Sequence, residues 1–324
     1  MKKLHLLAFA ALLCAAGAHA QSSVTLYGLI DMSVGASKAP GGATVYNANS
    51  GNMSTSYIGF SGSEELGDGL SAIFTLDTFL RADAGAAGRF NGDAFWARNA
   101  FVGLKSKTLG QLTMGRNTTP LFVSTLIFNA FGDSFGYSPS IRQYYTSNTV
   151  SGDSGWSNSV MYTTPGFSGL TATAIVGAGE GTGSRKSGLS ALYFGGPFAA
   201  TAVYQKVGKD AAAAAAETDT WQLGASYDFG MVKAFGQFGR VENLTSKVNY
   251  DLGSIGASVP LGGGKILAQY AEIKPSVGAK RKTLSAGYDY LLSKRTDLYA
   301  VAMSDKITGL SEGSSYSVGV RHRF

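Results

Sequence analysis

The sequence predicts an all-β protein: a transmembrane β-barrel of sixteen antiparallel strands, with short turns at one end and long loops at the other. Three observations predict it. The chain opens with a secretory leader, so it is exported. It is 44% hydrophobic, yet no segment after the leader approaches the ~18 apolar residues of a membrane-spanning helix. Its hydrophobicity is instead distributed by alternation, and the alternating segments are joined in turn by tight and by long connections.

The leader comes first. Lys2 and Lys3 supply the positive start, Leu6 to Ala16 the apolar core, and Ala18-His19-Ala20 the cleavage site, so residues 1–20 read as a signal peptide and the mature chain starts at Gln21. Cys14 is preceded by Leu13, where a lipid-anchor signal wants a small residue. Loss of the leader removes two lysines and no acid, which lowers the net charge from +6 to about +4. This excess is scattered, whereas nucleic-acid binding needs a concentrated basic face. The leader also takes away the only Cys and two of the three His. Disulfides, thiol catalysis and Cys-rich metal sites are thereby excluded from the mature chain. A Ser-His-Asp triad would have to use His322, three positions from the end. Counting residues leaves open only a carboxylate-only active site, so the chain reads as a non-enzyme without cofactor.

Residues 21–324 read as the barrel. The clearest strands are Thr220–Asp228, with Trp221, Leu223, Ala225 and Tyr227 on one face; Thr283–Tyr290, with Leu284, Ala286, Tyr288 and Tyr290; and Ser315–Phe324, with Tyr316, Val318, Val320, His322 and Phe324. Each has a polar opposite face, as a period of two requires. Leu170–Val176 and Leu298–Met303 carry small or apolar residues on both faces, and periodicity alone does not set their register. The full set runs 23–35, 53–62, 70–82, 94–106, 110–116, 157–164, 170–178, 188–195, 198–207, 218–228, 231–240, 248–258, 264–274, 281–290, 296–304 and 314–324. Tight connections include Gly67-Asp68-Gly69, Gly195-Gly196-Pro197, Phe229-Gly230 and Leu261-Gly262-Gly263; long ones lie near 36–52, 83–92, 117–156, 179–187, 208–217 and 305–313. All seven prolines fall in or beside connections, which suits a residue that cannot donate to a ladder. Ala211 to Ala216 follows Asp210, and both a short capped helix and an irregular loop are compatible with it. Gly177 to Gly183 lacks the spacing of a phosphate-binding loop and reads as a flexible connection.

Three stretches resemble the general porins of Gram-negative bacteria, especially the β-proteobacterial and neisserial type. They are Ser23-Val-Thr-Leu-Tyr-Gly-Leu-Ile-Asp31; Gly59-Phe-Ser-Gly-Ser-Glu-Glu-Leu-Gly-Asp-Gly-Leu-Ser-Ala-Ile-Phe-Thr-Leu-Asp77, continuing through Arg98–Leu104 and Gly110–Asn117; and the C-terminal Val318-Gly-Val-Arg-His-Arg-Phe324. The resemblance implies an outer-membrane homotrimer of water-filled barrels for passive diffusion of ions and small hydrophilic solutes. The alternative is a substrate-selective porin of the same architecture, for organic anions for example. It implies contacts with outer-membrane lipid and lipopolysaccharide, and recognition by the barrel-assembly machinery through the terminal Phe324. It also implies that a third extracellular loop, here 118–156, folds into the lumen and narrows it.

A pore constriction works by opposed charges that order water and set ion preference. Arg98 and Arg116 match the family's basic wall, and an arginine facing lipid near the midplane would cost ~2–4 kcal/mol. With Arg98 inward, alternation would turn Asn99 and Phe101 outward. Arg81 shares parity with Asp77 and Thr75, and Arg142 lies within the loop. Where the family commonly has an arginine, this chain reads Thr55-Ser-Tyr-Ile-Gly59, so either the basic wall is one member short or Tyr57 lines it instead, and strong anion selectivity is not implied. The acidic side should come from the loop, whose acids are Asp133 and Asp153; Asp133 sits mid-loop and is preferred. Asp77 and Asp31 are strand acids that could also face the bore. No EF-hand calcium-loop spacing is present.

Overall fold

A computed structural model describes residues 23–181, 185–209 and 216–324. The leader, and all but the last residue of Ala211–Ala216, lie outside the described residues.

The strands are β1 (Ser23–Lys38), β2 (Thr44–Ser50), β3 (Tyr57–Gly67), β4 (Leu70–Arg81), β5 (Ala86–Ala87), β6 (Asn99–Ser106), β7 (Gly110–Thr118), β8 (Gly155–Thr163), β9 (Leu170–Gly177), β10 (Lys186–Gly195), β11 (Phe198–Val207), β12 (Thr218–Asp228), β13 (Lys233–Asn243), β14 (Asn249–Leu261), β15 (Gly264–Pro275), β16 (Arg281–Leu291), β17 (Thr296–Ile307) and β18 (Gly313–Arg323). All join one antiparallel sheet, and β18 pairs with β1 from Leu29↔Arg323 to Lys38↔Ser314, which closes it. β2 lies along Met32–Lys38 and β3 along Ser23–Leu29, so the two together make one stave. β5 only extends the end of β4 by two residues. The barrel therefore has sixteen staves.

Two expected boundaries are corrected. The strand expected over 53–62 begins only at Tyr57 and runs on to Gly67 as β3, because residues 51–56 leave the wall and turn inward. β2 lies in a stretch expected to be loop; TVYNANS is mostly polar, so nothing in its hydropathy marks it. The strand expected from 94 begins only at Asn99.

The polarity of the wall is inverted relative to a water-soluble sheet. In β12, Thr220, Gln222 and Ser226 are buried while Trp221, Leu223 and Tyr227 are exposed. Gln205, Gln237 and Gln269 are likewise buried, and Val34, Leu189, Ile255 and Val318 exposed. A soluble sandwich buries the opposite set, because apolar area is what water expels. This arrangement is stable only where the outer face meets hydrocarbon. Among the described residues no helix is long and apolar enough to cross a membrane; the strands do the crossing.

The interior is partly filled by Thr119–Ser154, which joins β7 to β8. It carries two short helices, α1 (Pro120–Ile127) and α2 (Pro139–Tyr145). Thr119 and Ser138 cap them by accepting hydrogen bonds from Phe122 N and Ile141 N, and proline follows each cap at the first helical position, where its missing N–H costs nothing. Leu121 and Tyr144 pack on Val203, Val241, Leu252 and Ile273. Phe131 and Tyr137 pack on Leu267, Tyr299, Val301 and Met303. The apolar second faces of strands such as Leu298–Met303 are thus covered by the loop rather than by water.

A charge on the outer face should be far costlier than one on the inner face. Leu223→Arg, at mid-strand, should lower unfolding free energy in vesicles by ~2–4 kcal/mol, whereas Thr173→Lys on the inner face should change it by less than about 1 kcal/mol. Urea titrations of the two variants check this.

Candidate functional site

The interior charges sort into separate groups. In the first, the chain bends at Arg98 immediately before β6. The Arg98 guanidinium lies over the Tyr57 ring, 4.1 Å from its centroid, and its Nη1 donates to Asp77 Oδ2 at 2.7 Å. Asp77 is buried in the wall and also accepts from Asn99 Nδ2 at 3.1 Å and from the Tyr27 hydroxyl. Gly59 stands opposite Asp77 in the register, and a Cβ there would overlap Asp77 Oδ1, so only glycine leaves room for the carboxylate. Asp133, on the inserted loop, accepts from Ser54 Oγ at 2.6 Å. Phe79 and Thr118 on the wall, Thr55 on the inward segment, Arg98 before β6, and Phe122, Leu126, Asp133, Phe135 and Ser154 of the loop line one space of about 70 Å³. Arg98 and Asp133 therefore both line one small space between the wall and the inserted loop.

The inward segment 51–56 holds the acidic side in place. Asp31 Oδ2 accepts from Met53 N at 2.6 Å and Ser54 N at 2.8 Å, while its Oδ1 accepts from the Tyr299 hydroxyl at 2.7 Å. Asn52 O accepts from Ser134 Oγ at 2.6 Å, and Arg321 Nη1 donates to Ser54 Oγ at 3.1 Å. Asp31 faces the interior and is consumed as an anchor for this segment.

Arg116 belongs to a second group. Its Nε donates to Ala97 O at 2.6 Å, its Nη1 to Ser157 Oγ at 3.1 Å and its Nη2 to Asp153 Oδ2 at 2.5 Å. Arg89 forks onto the same Asp153 at 2.7 and 2.9 Å and holds Asp93 as well. Burial opposes charging Asp153, but the hydrogen bonds and charges of Arg89 and Arg116 outweigh it and hold the carboxyl down at about 2. This group ties the exit of the loop to the segment after β4. Arg81 Nη2 donates to Asn91 Oδ1 at 2.8 Å. Arg142 Nη2 reaches Asp305 Oδ2 at 3.2 Å, beside Arg281, and fastens α2 to the wall. Arg98, Tyr57, Asp77 and Asp133 are thus brought together; Arg116 adjoins them through the carbonyl of Ala97 and through Asp153, whereas Arg81 and Arg142 make their contacts at Asn91 and Asp305.

The expected direction of Asn99 and Phe101 is corrected. Asn99 bonds Asp77 and lines an interior cavity beside α1, and Phe101 pairs with Thr75 on the same inner face; Ala100, Val102 and Leu104 take the other. Alternation cannot be carried from Arg98, because Arg98 precedes the strand. Several interior arginines escaped the sequence reading, among them Arg281 at the start of β16, which holds Asp305. Arg89 lies in a connection without periodicity. Arg321 stands on the polar face of the last strand with Ser317, so its inward direction was available from the pattern.

A closed barrel with an apolar outside, a polar inside and a charged loop narrowing the bore defines a transmembrane channel. The profile of a family described as Gram-negative porin matches residues 7–310. Outer membrane porin protein 32 of Delftia acidovorans is 30% identical over 359 residues, covering 100% of both chains. An outer membrane porin protein of Bordetella pertussis is 30% identical over 378 residues, covering 96% of each. Among solved structures, an anion-selective porin from Comamonas acidovorans superposes with a TM-score of 0.82 at 26% identity, covering 94% of this chain and 100% of that one. A trimer form of Vibrio cholerae OmpT shares the fold, with a TM-score of 0.70 at 14% identity over 94% of this chain and 99% of its own. The chain belongs to the Gram-negative porin family and is an outer-membrane channel, not an enzyme.

Acid should loosen the loop. The Asp153 carboxyl is held below its ordinary 3.8, so its anchoring contribution is complete above about pH 4 and is lost as pH falls toward about 2. Single-channel records should grow noisier over that window, and Asp153→Asn should show the same noise at neutral pH.

Proposed function

We propose that the channel is a general-diffusion porin with a mild preference for anions, and that Arg98, Tyr57, Asp77 and Asp133 form its constriction. One observation carries this reading. In the Arg98–Asp77 pair the arginine side chain is 32% exposed and the aspartate 1%. The pair is neutral as a whole, but the aqueous path meets the cation first. Asp133 lines the same space with the opposite charge and supplies a transverse field, which favours polar over apolar solutes. Arg116 and Arg142 act by holding the loop, and Arg81 by bonding Asn91 in the connection after β4. The Comamonas porin described as anion-selective supports the sign. Tyr57 serves as the platform under Arg98.

The mature chain starts at Gln21, after export and cleavage of the leader. Its assembly is a homotrimer, by analogy with the trimer form of OmpT. Phe324 pairs its backbone with Gly28 in both directions, at 3.1 and 3.2 Å, and offers the terminal aromatic signal to the barrel-assembly machinery. Lipid and lipopolysaccharide surround the outer face.

Arg98→Gln combined with Asp77→Asn removes the pair without leaving a buried orphan charge. In a planar bilayer under a salt gradient, the double variant should lower the anion-to-cation permeability ratio by up to about twofold, since the near cation and its farther, buried anion act on an ion ~8 Å away only through their difference, a few tenths of a kcal/mol in water. A reversal potential equal to that of the parent contradicts the assignment. Conductance steps of the parent protein in groups of three check the trimer.

A further inference from the structure

A second recess, of about 270 Å³, lies in the bore and shares no lining residue with the space beside Arg98. It stands between the start of α2 and four neighbouring strands, β17, β18, β1 and β2. Lys38 is the last residue of β1, Asp305 is third from the end of β17, and Ser315 is the third residue of β18, so the recess is at the end of the barrel that carries the long loops. Solutes arriving from outside reach it before the constriction.

Its outer end carries positive charge. Asp305 is the only acid in the lining, and it is 2% exposed and already taken by Arg281, at 2.9 and 2.5 Å, and by Thr283 at 3.2 Å. Arg142 reaches it only at 3.2 Å, so two guanidiniums share one carboxylate and one positive charge is left over. Ser314 stands directly across from both Lys38 and Ser304, which puts Lys38 at the level of Asp305 and adds a second base at the rim.

Its inner end carries acceptors. Asn47 and Asn49 lie on one face of β2, three and five residues deeper than Thr44, the partner of Lys38. Asn47 Nδ2 donates to Ser37 Oγ at 3.1 Å, and Asn52 Nδ2 to Ser33 Oγ at 2.8 Å. With the nitrogens spent on wall hydroxyls, the amide oxygens are left to accept. Asn52 Oδ1 faces the loop across the recess, since a Cβ on Gly136 would fall 3.2 Å from it. Tyr137 and Met303 close the remaining side.

A cavity with donors and positive charge at one end and amide oxygens at the other matches a solute with the opposite dipole. A neutral polyol would leave the arginine charge unanswered, and a dicarboxylate would press its second charge against the amide oxygens. A zwitterion satisfies both ends. The volume holds roughly nine water-sized groups, which is the size of a dipeptide of small residues.

We propose that this recess is a solute-binding site for amino acids and dipeptides, with the carboxylate on Arg142 under the field of Lys38 and the ammonium or amide N–H on the oxygens of Asn47, Asn49 and Asn52. The site rests on the chain being a channel and is independent of the role of Arg98.

The test is the fall in single-channel current on adding glycylglycine, a zwitterion that carries no net current, at constant ionic strength. In the parent, half of the maximal fall should come at a concentration at least roughly threefold lower than with sodium propionate, which lacks the ammonium, or with glycylglycinamide, which lacks the carboxylate. Asn47→Ala with Asn49→Ala should raise the glycylglycine value roughly tenfold, as expected for two hydrogen bonds to a charged group, and leave the propionate value unchanged. If the double variant does not assemble, Asn49→Ala alone should give roughly a threefold rise. A fall no deeper than that caused by glycerol at the same concentration, or a glycylglycine value that the asparagine variants leave unchanged, overturns the proposal. Normal conductance steps without that selectivity would remove the site and leave the channel standing, so the two readings fail separately.

Discussion

The seam between β1 and β18 is the constraint on which the rest of the structure depends. In hydrocarbon every backbone donor and acceptor must find a partner within the protein, and an open sheet edge would leave a row of them unpaired. Ten residue pairs from Leu29↔Arg323 to Lys38↔Ser314 close that edge, and Phe324 adds a reciprocal pair of bonds with Gly28. Gly28 is demanded here, because a Cβ would fall 2.5 Å from the Phe324 ring. Closure divides the molecule into an outside and an inside, and a period-two strand then assigns each side chain to one or the other. Apolar residues outside and polar ones inside follow from the solvent that each face meets.

The inside poses a different problem, since a bore wide enough for water must still be shaped. The loop Thr119–Ser154 does this by burying its apolar side chains on the few apolar positions of the inner wall and by using glutamines of both wall and loop as clamps. Gln269 receives Ala130 N on one atom and donates to Ser140 on the other, and Gln143 reaches the carbonyls of Gly253 and Glu272. Ion pairs act similarly. Asp77, Asp297 and Asp305 are buried in the wall and orient the bases that contact water or the loop. Buried pairs of this kind contribute little net stability, because desolvation offsets attraction. They set where a charge stands.

Much of this was legible in the sequence. Trp221, Leu223 and Tyr227 against Thr220, Gln222 and Ser226 state the two faces outright, and the tight turns at glycine mark one end. A long connection was legible from its length and its place between two strands, and its inward course was implied by the family resemblance. What was not legible has local causes. β2 is polar on both faces, so hydropathy does not mark it. The helices of the loop are announced only by Thr119-Pro120 and Ser138-Pro139, a cap followed by proline, which is weak inside a long connection. Arg98 and Arg116 look equivalent as motif residues, but Arg98 stands in a bend and Arg116 beside an irregularity in the β7–β8 register between Gly115 and Asn117. Alternation holds only within unbroken strands and fails at both places.

The central claim is that a water-filled bore lies on the Asp77 side of the wall and lipid on the other. Single cysteines in the thiol-free mature chain test it most directly. Thiols at Ser61 and Thr75, which pair on the inner face, should react with a charged, membrane-impermeant reagent and reduce the channel current. Thiols at Phe60 and Val102, on the outer face, should be protected by lipid and leave the current unchanged. Reaction at Phe60 and Val102 with protection at Ser61 and Thr75 would contradict the account.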